Sequence, residues 1–150
     1  MVGAYFNGFL WAPAEKYWNN IIRYISSKYQ ITLVRKYKFK TFHDLENMIM
    51  KLYRHDPVSI TSIKNVKLKL LSKYSPICLQ FQIYVNEIEM IPRGRHNIAD
   101  KGVLKMKKEI RKRYRSKIVG YQTDIIIHIS DNDEQTECIN KLIQKDIVTL

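Results

Sequence analysis

The stretch ICLQFQIYV, Ile77–Val85, alternates Leu79, Phe81, Ile83 and Val85 against Cys78, Gln80, Gln82 and Tyr84. Successive strand side chains point to opposite faces, so this period of two predicts a half-buried strand in an antiparallel sheet whose second face stays more polar. Immediately upstream, Pro76 stops a helix expected over about Thr61–Lys73, with Ile63, Val66, Leu70 and Leu71 turned inward. Before that, Thr41 followed by Asp44 reads as the capped start of another helix. Its buried stripe is Phe42, Leu45, Ile49, Leu52 and Tyr53, and Asp56-Pro57 ends it. ITLVRKYKF, Ile31–Phe39, reads as a strand. Glu15–Tyr29 carries Trp18, Ile21, Ile22, Ile25 and Tyr29 at helical spacing. Gly3–Leu10 reads as a first strand, broken by Trp11-Ala12-Pro13-Ala14.

Downstream of Val85, the turn formers of IPRGRHNIADKG predict a loop over Ile91–Gly102. A helix follows over Val103–Lys117, then a strand over Asp124–Ser130 and a last helix over Asp133–Gln144. Helices alternating with at least four strands, without repeats or a Pro/Gly/Ser-rich linker, predict one α+β domain spanning residues 1–150. The expected fold is a ferredoxin-like plait: an antiparallel sheet of about four strands with helices packed mainly on one face.

The 150 residues are 45% hydrophobic and 27% charged, ordinary for a globular chain. No apolar run approaches the roughly 20 residues of a membrane helix, so no membrane partner is expected. The apolar opening segment lacks a positive n-region and is interrupted by Asn7, so it is read as a strand rather than a signal peptide. Two cysteines among aliphatic residues, Cys78 and Cys138, read as buried free thiols of a reducing compartment, which places the chain in the cytoplasm. The histidines His43, His55, His96 and His128 are scattered, and no metal site is expected.

Charge is the loudest global feature: 26 Lys and Arg against 14 Asp and Glu, a net +12. Such a surplus attracts polyanions, nucleotides or nucleic acid among them. The cations concentrate between Arg93 and Lys117, opposed there only by Asp100 and Glu109. On a helix, Val103, Met106 or Lys107, Ile110 and Tyr114 face the core, which leaves Lys105, Lys108, Lys112 and Arg115 as a solvated ridge able to grip phosphates. Arg93 and Arg95, flanking Gly94, suit a flexible phosphate clamp because each guanidinium can fork onto two oxygens. The same residues also read as a basic face that touches nothing, or as one that docks on an acidic partner.

In DIIIHISDND, His128 ends an isoleucine-rich strand just before the helix that Ser130 or Asp131 can cap. A helix N-terminus there favours anions, and a neutral imidazole can serve as base or as phosphoryl acceptor. An edge histidine that only packs is the plainer alternative.

The segment His128-Ile129-Ser130-Asp131 resembles the active-site motif of nucleoside diphosphate kinases, N-x-x-H-[GA]-S-D-[GSA]. The order of elements is similar too, and Asn97-Ile98-Ala99-Asp100 with Ile110-Arg111 echoes two further segments of that family. The resemblance implies that His128 accepts a phosphoryl group, supported by Ser130 and Asp131, that Arg111 contacts phosphates, and that Mg²⁺ arrives with a nucleotide. Lys108, Arg93 and Arg95 would join Arg111 in neutralising the phosphates. The alternative is a basic RNA- or DNA-binding module, or an interaction protein or homo-oligomer, that uses the 93–117 face.

Overall fold

The computed structural model describes residues 3–52, 63–93, 97–121, 123–130 and 148–149. Its main sheet is built from β1 (Ala4–Trp11), β2 (Gln30–Lys38), β3 (Ile77–Val85), β6 (Ile127–Ile129) and the two-residue β7 (Val148–Thr149), in the order β6-β1-β3-β2-β7. Every neighbouring pair is antiparallel. With β7 set aside, the order is fourth, first, third, second, which is the α+β plait expected from the sequence. A separate two-stranded ribbon pairs β4 (Met90–Arg93) with β5 (Asn97–Asp100).

The central pair is long and regular, running from Ala4 opposite Val85 to Trp11 opposite Cys78. Its midpoint explains a glycine. A Cβ on Gly8 would fall 2.1 Å from the ring of Phe81, which lies flat over that backbone. Glycine is there because nothing larger fits beneath the ring. β2 enters the sheet through an irregularity between Ile31 and Leu33.

Helix α1 (Trp18–Ser26) buries Trp18, Ile21 and Ile25, the apolar stripe read from the sequence. It begins at Trp18 because Pro13 opens a tighter 3₁₀ turn over Ala12–Tyr17 first. Helix α2 (Phe42–Leu52) starts on Thr41, whose hydroxyl accepts the Asp44 amide at 3.2 Å and donates to the Asp44 carboxylate at 3.1 Å. Helix α3 (Lys101–Tyr114) is capped by the Asp100 carboxylate, which accepts the Val103 amide at 3.0 Å, and it tightens into 3₁₀ over Arg115–Lys117.

Several expectations are corrected. The loop over Ile91–Gly102 is instead the β4–β5 ribbon followed directly by α3. Pro92 is tolerated because the bond from the Lys101 amide to the Glu89 carbonyl sets the odd-numbered residues of β4 on the bonded side, so the Pro92 nitrogen faces away from β5. The helix expected over Thr61–Lys73 is a wide π-turn, Ile63–Leu68, running into the single turn Lys69–Leu71. The last strand is shorter than Asp124–Ser130, because Asp124 turns its own carboxylate onto the amides of Ile126 and Ile127, at 3.1 and 3.4 Å. β3 is not half-buried: Cys78 is fully covered and Gln80 is 3% exposed, so both faces are enclosed at that end. Part of the cover is the π-turn, from which Lys67 reaches over the Trp11 ring at 5.7 Å. The expected helix over Asp133–Gln144, the helix end at Asp56-Pro57, and Cys138 lie outside the described residues.

Candidate functional site

The register of β6 against β1 puts His128 opposite Phe9, and that of β3 puts Gln80 on the other side of Phe9. Two residues along each strand, Asn7 is opposite Gln82 and bonded to Ser130. Side chains two apart share a sheet face, so Asn7, Gln80, Gln82, His128 and Ser130 form one polar seam. The seam is tightly bonded. The Asn7 amide donates to Ser130 Oγ at 3.1 Å, and the Ser130 amide donates to the Asn7 carbonyl at 2.8 Å. Gln82 Nε2 donates to Asn7 Oδ1 at 3.4 Å, and the Tyr37 hydroxyl donates to Gln80 Oε1 at 2.8 Å. Asn7 and Ser130 are fully buried and His128 is 2% exposed. Four of these, Asn7, Gln80, His128 and Ser130, are buried, with Gln82 half-buried at the end of the row. Polar side chains inside a core cost desolvation, and cores keep such groups only when they are bonded or used.

Ile129, which stands where the nucleoside diphosphate kinase motif carries a small residue, pairs with Gly8 and therefore projects onto the face opposite His128. Its bulk packs on the Phe81 side of the sheet and does not crowd the imidazole. Ile125 stands at the motif's asparagine and is buried. Ala12, just before Pro13, is buried too and carries no charge.

Arg111 is held firmly. Its guanidinium bonds the carboxylate of Asp124 and donates to the carbonyl of Ile127 at 3.3 Å, with the two side chains 24% and 17% exposed. The bonds from Trp11 N to Ile126 O and from Ser130 N to Asn7 O show that the even-numbered residues of this strand face β1 with their backbone groups. The Ile127 carbonyl consequently points off the free edge of β6, where Arg111 covers it. Arg111 thus stands one residue from His128, engaged by the strand that carries it. Tyr121 lies nearby, its hydroxyl pushed up by burial and by Asp124, with Arg111 and Arg115 pulling the other way.

The basic helix presents a different surface. Lys105, Lys108, Lys112 and Arg115 are exposed as the spacing required, while Lys107 is 1% exposed and belongs to the buried side. Lys101, Lys105, Lys108 and Lys112 line an open groove of about 350 Å³ floored by Ile91 of the ribbon and Leu104 of the helix. Around the corner, α3 meets α1 through aromatic rings and cations. Arg113 and Lys28 lie over Tyr24 at 4.4 and 5.3 Å, and Lys117 lies 5.4 Å from both Tyr17 and Tyr114. The Tyr24 hydroxyl donates a short bond to Glu109. That bond, ahead of the Lys28, Lys105 and Arg113 charges, holds the Glu109 carboxyl below its usual range, and burial acts against it.

The seam and the lysine groove share no residue among those described. The backbone of Arg93 lies in β4, paired with Asn97, while Arg95 and Asp131 lie outside the described residues. Among the described residues, no three His, Cys, Asp or Glu side chains gather as a metal site, and no helix is long and apolar enough to cross a membrane. Sequence reading found His128 and the lysine ridge but not Asn7 as a partner of Ser130. The signal was present as a lone asparagine inside an aromatic strand.

No protein-family model and no curated protein sequence matches the chain. Among solved structures, the fold is similar to the nucleoside diphosphate kinase of Aquifex aeolicus, in an orthorhombic crystal form, over 95% of both chains at 15% identity and a TM-score of 0.52. It is similar as well to the Borrelia burgdorferi nucleoside diphosphate kinase in a transition-state mimic with bound vanadate and ADP, over 95% of this chain and 87% of that one, at 12% identity and a TM-score of 0.50. At such identities the likeness is one of fold: the chain has a remote structural resemblance to nucleoside diphosphate kinases over 95% of its length.

Proposed function

We propose that this chain handles a nucleotide at the end of β6, with His128 as the group that meets its terminal phosphoryl. The observation that carries the reading is the largely buried polar face: an imidazole opposite Phe9, sharing its sheet face with Asn7, Ser130 and, across Phe9, Gln80, on the strand where the resemblance in fold and motif coincide. The Borrelia relative binds vanadate and ADP, which supports a nucleotide as the ligand here. In the transfer step an imidazole nitrogen attacks the terminal phosphorus, the P–N bond forms as the bond to the bridging oxygen breaks, and the nucleoside diphosphate leaves. A second nucleoside diphosphate takes the group back off. Arg111 would exchange Asp124 for a phosphate oxygen, and Arg93 and Arg95 would balance the remaining charge, whereas Lys108, expected from the sequence to join them, lines the separate groove on α3. Mg²⁺ would enter with the nucleotide's phosphates and offset their charge. Ser130 and Asp131 would set the position of the imidazole and its backbone.

His128 is 2% exposed, so labelling is expected to be slow. The test is incubation with γ-labelled ATP and GTP beside His128→Ala, with equilibrium binding of ADP measured on both proteins. Acid-labile, base-stable label on the parent and none on the variant is the expected result. ADP binding without label would remove the transfer step and leave a nucleotide-holding protein; absence of both would sink the reading entirely.

A further inference from the structure

We infer that the groove between α3 and the β4–β5 ribbon is a second site, built for the sugar-phosphate backbone of a single nucleic-acid strand. Lys101, Lys105, Lys108 and Lys112 recur at i, i+4, i+7 and i+11 and line one groove together. At 1.5 Å rise per residue the row is about 16 Å long, enough to follow several consecutive phosphates. The floor is Ile91 and Leu104, an apolar strip on which sugars and base faces can lie.

The surrounding charge favours a long polyanion. Lys101 has only a surface contact with Glu89, at 3.8 Å with both side chains well exposed, and such pairs exchange readily. Among the described residues two acids, Glu89 and Glu109, stand against the four lysines; Glu109 is bonded to Tyr24 and also interacts with Lys105, which leaves the row with a surplus of cations. The net charge of +12 adds long-range attraction. Ammonium groups are point charges without the fixed fork of a guanidinium, so they fit regularly repeated anions and read no sequence. Among the described residues no aromatic ring lines the groove, so the affinity proposed for it rests on charge. A nucleic-acid backbone presents one charge per nucleotide at regular spacing, which an acidic peptide does not.

The groove is distinct from the seam, because its lysines occupy the outer side of α3 while Val103, Met106 and Ile110 occupy the buried side. The experiment is titration of the full chain with a labelled oligothymidylate of about a dozen nucleotides over a range of salt. Four phosphate contacts on a single strand give a slope of log affinity on log salt of about −2.8. Lys105→Ala with Lys108→Ala is expected to bring it to about −1.4, while His128→Ala leaves it unchanged. A slope unaltered by the lysine changes, or one lost with His128→Ala, would overturn the inference. So would polyglutamate of equal charge displacing the oligonucleotide at equal concentration, which would assign the groove to an acidic protein partner.

Discussion

The guanidinium of Arg111 joins the carboxylate of Asp124 to the outward carbonyl of Ile127, so one side chain of α3 fastens both the approach to β6 and its open edge. Hydrogen bonds to charged groups in partly covered positions contribute roughly 1.5–3 kcal/mol. Arg111→Ala is expected to lower stability by about 2 kcal/mol in urea unfolding. Asp124→Asn keeps an oxygen for the Ile126 and Ile127 amides, is expected to cost less, and releases the guanidinium. If Arg111 serves phosphates, ADP then binds several-fold tighter; unchanged ADP affinity would confine Arg111 to the fastening role.

Gly8→Ala places a methyl 2.1 Å from the Phe81 ring in the middle of the best-paired strands. Ring and strand must both move, and overpacking of this kind costs about 1–3 kcal/mol. Thermal unfolding should show the loss. Combining Gly8→Ala with Phe81→Leu, which removes the ring, is expected to recover part of it relative to the sum of the single changes, the signature of two residues sharing one space.

Burial alone pushes the Cys78 thiol far above its ordinary 9.0. The unfolded thiol ionises near 9.0 and the folded one does not, so its contribution to stability is whole below that pH and declines as the pH rises above it. Tyr29 and Tyr121, also raised by burial first, add to the same alkaline decline above 10.0. In a Cys138→Ser background the native chain should resist a thiol reagent at about pH 8 and react only on unfolding. Cys78→Ala should flatten part of the fall in stability above 9.0.

Tyr24→Phe removes the hydroxyl that holds Glu109 low. The Glu109 carboxyl should then titrate closer to its ordinary 4.5, followed by its side-chain carbon shift in NMR. Because a lowered folded value adds stability above the unfolded pKa and loses it as pH falls, the variant should also show a smaller acid-side decline. An unmoved titration would mean that the lysine and arginine charges, rather than the hydrogen bond, set the value.

The long elements were readable because their patterns are local. β3 was bounded to the residue, β2 within one, and α2 by the Thr41 cap, since alternation, β-branching and capping all act over a few positions. The β4–β5 ribbon was not readable: each strand has four residues, and Pro92, Gly94 and Asn97 carry the composition of a loop. His128 stood out as an imidazole after isoleucines. Its neighbours did not, because Asn7 meets Gln82 across 75 positions and Ser130 across 123. Arg111 was singled out by the Ile110-Arg111 echo as a phosphate contact, but its bond to Asp124 was not legible. Tertiary pairing, not residue type, makes these constellations.

Asn7 and Gly8 stand side by side on β1, and together they make alignment errors costly. Sliding β1 by one position past β3 would turn the Asn7 amide into the Ile- and Phe-lined layer and push a side chain beneath the Phe81 ring. An amide stranded in that way costs roughly 1–3 kcal/mol, and the clash adds to it. The polar seam that adds little to the depth of the native state thus guards its uniqueness, because a folding chain that zips its two central strands out of step has no comfortable place to stop.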